Sequence, residues 1–249
     1  CDGKTINNTG TYHSPEGLYT NEFDLLYFDN CTFTRWDSGI EIYRDSDNIT
    51  IIDSNFTDND KGIYVVENGD SDPDDFNITR NFFADNDEDG VYLASNGPTG
   101  DVYENEFFDT GIEDLSGTFD LCSVGYGNYY NDNVTVGDVL PLDCGPCPTG
   151  EVFLNSSLSS RSYTWNGNCS FSTWKEGWYN TWSGNNLTIL SGPLSETSTT
   201  RAVRSNITSY CDGKTINNTG SYQTGHGLYT NEFDLLYFDN CTFTRWDYG

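Results

Sequence analysis

Methionine is absent from the 249 residues, histidine occurs twice, and lysine and arginine together number 11 against 39 aspartates and glutamates. The formal charge of −28 excludes a nucleic-acid partner, because a phosphate backbone would be repelled. No apolar run approaches the roughly 20 residues that cross a bilayer as a helix, so no membrane span is expected in this segment. Methionine is missing even at position 1, which fits a processed or truncated stretch, so the absence of a signal peptide says nothing about targeting. Zinc chemistry also lacks material. His13 and His226 fall at positions whose counterparts in a repeated segment are Gln223 and Glu16, and residues that vary between copies make poor ligands.

That repeat is the most informative feature present. Residues 1–39 return at 211–249 with six differences, so a unit of 210 residues begins again near the end of the chain. Four of the six differences, at positions 13 to 16, cluster in what reads as an exposed turn. Large units in near-identical series suit a fibre, stalk or adhesin, in which each added unit extends reach. The last 39 residues are too few to fold alone and are expected to dock on what precedes them.

Within the unit a shorter rhythm runs from about Leu25 to Leu115. Phe33 leads to Gly39, Phe56 to Gly62, Phe83 to Gly90 and Phe107 to Gly111, and these glycines recur after 23, 28 and 21 residues. Each glycine is followed by a short apolar alternation, and each phenylalanine has an asparagine nearby: Asn30, Asn55, Asn81 or Asn105. Brief strands, Asn- and Asp-rich turns and a period just above 20 describe coils of a parallel β-helix. Glycine is expected at the corners for its freedom at unusual φ. The spellings Asn48-Ile-Thr-Ile, Asn77-Ile-Thr and Asn186-Leu-Thr-Ile, with the Phe and Gly-Ile elements, resemble the right-handed parallel β-helix repeat family, the pectate-lyase-like solenoids. The composition is similar to that of repetitive, glycosylated archaeal surface and adhesin-like proteins. The resemblance implies an all-β, right-handed parallel β-helix solenoid over 25–115 and, with less support, 1–24.

A proline-rich connector ending near Pro148 divides the chain. The expected organisation is a β-helix over 1–148, a small disulfide-containing β module rich in Ser, Thr and Trp over 149–210, and the start of the next repeat over 211–249. Strands are expected at 151–154, 187–190 and 201–203 in the module, as either a sandwich-like insert or further irregular coils.

Twelve Asn-x-Ser/Thr signals occur, at Asn7, Asn30, Asn48, Asn55, Asn77, Asn133, Asn155, Asn168, Asn186, Asn206, Asn217 and Asn240. They mark candidate N-glycans on turns, with Asn30, Asn55, Asn77, Asn155, Asn168 and Asn186 favoured. Cys1, Cys31, Cys122, Cys144, Cys147 and Cys169 give six thiols per unit, and Cys211 and Cys241 open the next. This even count beside many glycan signals implies disulfides in an oxidising, extracellular compartment. Cys1 is expected to pair with Cys31 and Cys211 with Cys241, leaving the other four to pair among themselves. Cys144-Gly-Pro-Cys147 spells a thioredoxin-type redox site, but it precedes Pro148 and a β-like stretch rather than opening a helix, so it reads as a staple.

Asp85, Asp87 and Asp89, before Gly90, follow the first half of a calcium loop, although Asn96 stands where the bidentate glutamate belongs. They form the one candidate metal site; no cofactor is otherwise required. With Arg80 they are also the nearest approach to the catalytic carboxylates of β-helix polysaccharide lyases and hydrolases. Trp174, Trp178 and Trp182, near Trp165, would line either a sugar-stacking strip or a small core. The reading is of a non-catalytic structural repeat of an extracellular, N-glycosylated cell-surface filament, partnered by its own repeats or subunits. An adhesin or glycan-binding repeat is the first alternative and a β-helix lyase or hydrolase the second.

Overall fold

The computed structural model describes residues 1–10, 14–23, 25–43, 46–66, 75–94, 99–114, 119–121, 127–131, 151–157, 169–181, 185–196, 207–219, 228 and 236–246. The chain forms two compact units, 1–143 and 144–249. The strands of the first are β1 (Lys4–Asn7), β2 (Ser14–Asn21), β3 (Leu26–Asp29), β4 (Cys31–Thr34), β5 (Trp36–Tyr43), β6 (Ile49–Ile52), β7 (Asn55–Thr57) and β8 (Lys61–Val66). They continue as β9 (Phe76–Thr79), β10 (Phe82–Ala84), β11 (Asp89–Leu93), β12 (Gly100–Tyr103), β13 (Glu106–Phe108), β14 (Ile112–Asp114), β15 (Phe119–Asp120) and β16 (Tyr129–Tyr130).

Every third strand joins the same parallel sheet. The first sheet runs β1-β4-β7-β10-β13-β16, the second β2-β5-β8-β11-β14 and the third β3-β6-β9-β12-β15. This is a solenoid of about six coils. Because parallel register places like on like, the interior fills with identical rungs. Phe33, Phe56, Phe83, Phe107 and Tyr130 stack face to face at centroid spacings of 4.8–5.3 Å. Ile40, Ile63, Val91 and Ile112 form a second column, and Ile51, Ile78 and Val102 a third.

The glycines serve a different purpose from the one expected. Gly39, Gly62 and Gly90 are not at left-handed φ; each lies where an added Cβ would strike the backbone or the phenylalanine rings of the next coil. At Gly39 the obstacles are Gly62 O at 2.6 Å and Phe56 Cδ1 at 3.0 Å. Left-handed φ is carried instead by Asn30, Asp53, Arg80 and Glu104 at one corner, and by Arg35, Asp58, Asp85 and Asp109 at another. Asn and Asp tolerate this region best, which accounts for the polar corners. Three of the four variable positions are also not a turn: Ser14, Pro15 and Glu16 open β2, with Ser14 opposite Trp36 and Glu16 opposite Ser38, while position 13 lies outside the described residues.

In the second unit β17 (Val152–Asn155), β18 (Cys169–Phe171), β19 (Asn186–Ser191), β20 (Leu194–Glu196), β21 (Ile207–Tyr210), β22 (Thr215–Asn218), β23 (Leu236–Asp239) and β24 (Thr242–Thr244) form parallel sheets ordered β18-β17-β19-β21-β23 and β20-β22-β24. Irregular coils, rather than a sandwich, are what parallel pairing requires. The sequence repeats from Cys211, yet the sheets run across that point, so 211–246 shares one unit with the coils before it. The expected strand at 201–203 lies outside the described residues.

One short helix, α1 (Trp174–Asn180), occurs among the described residues of this otherwise all-β chain. Thr173 caps it by accepting the Glu176 amide at 3.1 Å, in a Thr-x-x-Glu capping arrangement. Trp174 and Trp178, one helical turn apart, are fully buried and meet edge to face at 5.7 Å. Trp174 also packs on Phe243 and Trp178 on Phe238, so these two tryptophans belong to the core. Trp165 and Trp182 lie outside the described residues.

Candidate functional surface

Two ladders of polar side chains thread the interior of the first unit. Ser54 Oγ accepts the Cys31 amide, Asn81 Oδ1 the Ser54 amide, Asn105 Oδ1 the Asn81 amide and Asn128 Oδ1 the Asn105 amide, at 2.9–3.1 Å. The amide nitrogens of Asn81, Asn105 and Asn128 donate to the carbonyls of Ile51, Ile78 and Val102. A shorter ladder links Trp36, Asn59 and Asn86. Of the four asparagines near the phenylalanines, Asn81 and Asn105 are ladder rungs and Asn30 and Asn55 are not. Ser54, not Asn55, shares the rung of Asn81 and Asn105, and Asn30 is an exposed corner residue equivalent to Asp53 and Arg80.

The acidic loop behaves accordingly. Asn86 turns inward to its ladder, while Asp85 and Asp87 are exposed and Asp89 is half-buried on β11. Asp85, Asp87 and Asp89 are not gathered, and among the described residues no three His, Cys, Asp or Glu side chains come together to hold a metal ion. Arg80 does not join them either. Its guanidinium clasps Asp53 through two bonds of 2.9 and 2.7 Å, which holds the Asp53 carboxyl below its ordinary range and raises Arg80.

The outer face of the second sheet concentrates side-chain chemistry that the motifs did not signal. Tyr19, Glu41, Tyr64, Tyr92 and Glu113 form one register row, and Glu16, Ser38, Lys61 and Asp89 another. Tyr64 and Tyr92 meet edge to face at 5.3 Å, and the Lys61 ammonium lies 5.4 and 5.6 Å from their ring centroids while pairing with Glu88. Burial lowers the Lys61 pKa, but Glu88, Tyr64 and Asp89 outweigh it and leave the group raised. Burial, reinforced by Glu113, pushes the Asp89 carboxyl up to about 6. Glu41 is raised by burial and by Glu16 beside it. Strand alternation sends Glu41, Tyr64 and Tyr92 outward, but Lys61 and Asp89 share parity with the buried Ile63 and Val91, so from sequence it reveals the tyrosine row alone.

Of the expected glycan acceptors, Asn7, Asn30, Asn48, Asn55 and Asn240 are exposed, and Asn77, Asn155, Asn186 and Asn217 half-buried. Asn30, Asn48 and Asn240 occupy left-handed corners. Asn217 lines a groove with Pro193, Lys214, Thr215, Thr244 and Arg245. None of the twelve signals falls in the five strands of the second sheet. Asn133, Asn168 and Asn206 lie outside the described residues. Cys1 is bonded to Cys31 and Cys211 to Cys241, each closing 30 residues. Cys169 is also in a disulfide; Cys122, Cys144 and Cys147 lie outside the described residues. Among the described residues no helix is long and apolar enough to cross a membrane.

Three parallel sheets with stacked interior rungs and polar ladders define a parallel β-solenoid. Residues 1–138 match the family model for the right handed beta helix region, and the chain belongs to that family. No curated protein and no solved structure matches it.

Proposed function

We propose that this chain is a section of a non-catalytic, extracellular, N-glycosylated surface filament or stalk built from repeating solenoid units. One observation carries the reading: the described parts of the repeated sequence, 211–219 and 236–246, reproduce the local geometry of 1–9 and 26–36 while stacking on the coils that precede them. Thr5 lies opposite Thr32 and Ile6 opposite Phe33, just as Thr215 lies opposite Thr242 and Ile216 opposite Phe243. Gly3 and Gly213 have φ of 72° and 74°, Asn30 and Asn240 of 54° and 52°. Trp36 Nε1 donates to Ile6 O at 2.9 Å and Trp246 Nε1 to Ile216 O at 3.3 Å. A motif that closes on itself and also accepts a coil beneath it suits indefinite repetition. Disulfides and exposed acceptor asparagines support an oxidising, glycosylating environment.

The test is glycopeptide mass analysis and electron microscopy of native surface material labelled through this chain. Filaments carrying sugar at several of the exposed acceptors are expected, with no turnover of acidic polysaccharides. Bare asparagines, together with polysaccharide cleavage that Asp87→Asn or Asp89→Asn abolishes, would overturn the reading in favour of a lyase or hydrolase. The sequon-free cluster of Tyr64, Tyr92 and Lys61 favours one second reading, an adhesin that binds glycans on this face. Glycan-array binding lost in Tyr64→Ala would establish it.

A further inference from the structure

Parallel register sets Tyr27, Thr50, Asn77 and Asp101 opposite one another in an outward row of the third sheet. In the second unit a row of the same kind runs Asn186, Thr208, Tyr237. Tyr27 and Tyr237 are one position of the sequence repeat. They are 61 % and 60 % exposed, although Tyr27 has the following coil stacked on it and Tyr237 the preceding one. The neighbour is a threonine in both cases, too short to cover a phenol ring, so the exposure does not come from either end of the chain. Neither ring has a ring contact or a hydrogen bond among the described residues. Each stands two strands from an acceptor asparagine, Tyr27 from Asn77-Ile-Thr and Tyr237 from Asn186-Leu-Thr, a separation of about 10 Å at ordinary strand spacing. Asn77 Oδ1 is buried without a hydrogen-bond partner, and the Asn186 side chain has none among the described residues. These two amides are therefore not committed to the fold, unlike those of Asn81 and Asn105, whose nitrogens are tied to backbone carbonyls. A further exposed ring, Tyr210, lies opposite Thr188 of the Asn186 signal.

We propose that Tyr27 and Tyr237 are stacking platforms for N-glycans borne by Asn77 and Asn186, each receiving the C–H face of a pyranose among the first sugars. This rests on the glycosylation in the reading above and gives the sugar a partner on the protein surface. A tyrosine ring combines an apolar face with a phenol oxygen that can meet a sugar hydroxyl, and the flat face of a pyranose matches both. The threonine between ring and acceptor leaves room for a saccharide to lie along the row. In an array the two half-rows join, because the repeated tyrosine has Asn186 two strands before it and Asn77 two strands after it. Either glycan can take the ring, and whichever does so lies across the coils at which one repeat passes into the next.

The experiment uses the full glycosylated chain, nitrated with tetranitromethane and scored by peptide mass analysis on the sugar-bearing fraction. Tyr27 and Tyr237 are expected to react about 5-fold more slowly than in chain stripped of sugar, the shielding that a stacking contact supplies. Asn77→Gln is expected to restore the rate at Tyr27 and Asn186→Gln the rate at Tyr237, while Tyr19, on the sequon-free second sheet, keeps one rate throughout. Thr79→Val and Thr188→Val, which remove the signals and keep the asparagines, are read wherever a glutamine variant fails to fold. Magnetic resonance separates stacking from bulk: upfield-shifted sugar C–H signals are expected, and their loss when Tyr27→Leu and Tyr237→Leu are combined. Slowed nitration without those signals overturns the proposal, as does nitration at the full rate beside an occupied asparagine. Sugar at Asn30, Asn48 and Asn55 with Asn77 and Asn186 bare also overturns it and leaves the glycosylation reading standing. Bare asparagines throughout defeat that reading as well.

Discussion

At the scale of single residues, the solenoid depends on atoms that are missing as much as on those present. An added Cβ at Gly62 would meet Gly90 O and, at 2.8 Å, Phe83 Cδ1, so Gly62→Ala must push the coils or the phenylalanine stack apart. A loss of about 2–3 kcal/mol in denaturant unfolding is expected, the usual scale for overpacking. Asp89 gives a pH signature. Its folded pKa of about 6 lies above its ordinary value of 3.8, so between those values the folded state binds more protons than the unfolded state. Stability from this group is therefore greatest below the ordinary value, declines as pH rises, and is fully lost above about 6. Because Asp89 is half exposed, the effect is discounted to about 1 kcal/mol. Asp89→Asn should stabilise the first unit at pH 7 by roughly that amount and flatten its stability profile between pH 4 and 6.5. An unchanged slope would show that Asp89 is well solvated.

At the scale of elements, the asparagine ladder and the helix make opposite demands. Asn105 gives and receives bonds along the ladder, so Asn105→Ala strands the Asn81 amide in the interior and should cost about 3 kcal/mol. Asn81→Ser should cost less, because Ser54 already fills the preceding rung with a hydroxyl. Thermal unfolding of both variants would rank them. Trp174→Ala should remove about 3–5 kcal/mol from the second unit and leave the first unit's transition in place, which calorimetry of the whole chain would separate. These elements also mark how far the sequence could be read. The Phe-to-Gly spacing gave the coil length and the inner aromatic column, since interior rungs repeat by necessity in a parallel stack. It did not give the polar ladder, because Ser54 satisfies one rung without being an asparagine and Asn55 beside it is exposed. Helix α1 had a legible signal in Thr173, Glu176 and the four-residue tryptophan spacing, but its β-rich surroundings masked it. The tyrosine and carboxylate row drew no notice because its members are about one coil apart and become neighbours only once register is fixed.

At the scale of the whole molecule, covalent closure contributes to durability, and the proposed glycosylation is open to direct test. Glycopeptide analysis should find higher occupancy at the exposed Asn30, Asn48 and Asn55 than at the half-buried Asn155 and Asn186. Equal occupancy would mean that glycans are added before these coils close. Each described intra-repeat disulfide joins two cysteines 30 residues apart, and in the chain-entropy account such a loop stabilises by about 3.6 kcal/mol. The position of the bond has a mechanical meaning as well. Cys1 lies at the start of the first coil and Cys31 opens the strand directly above it, so the bond short-circuits one full turn of the solenoid. A chain tugged from its N-terminus would feed the load past that turn to Cys31, leaving the bypassed turn as slack that carries no force. Stretched to rupture, each such closure withholds about 100 Å of contour, released only when the bond is reduced. A thread with a lock of this kind at the head of every repeat would lengthen stepwise in reducing surroundings and resist unravelling in oxidising ones.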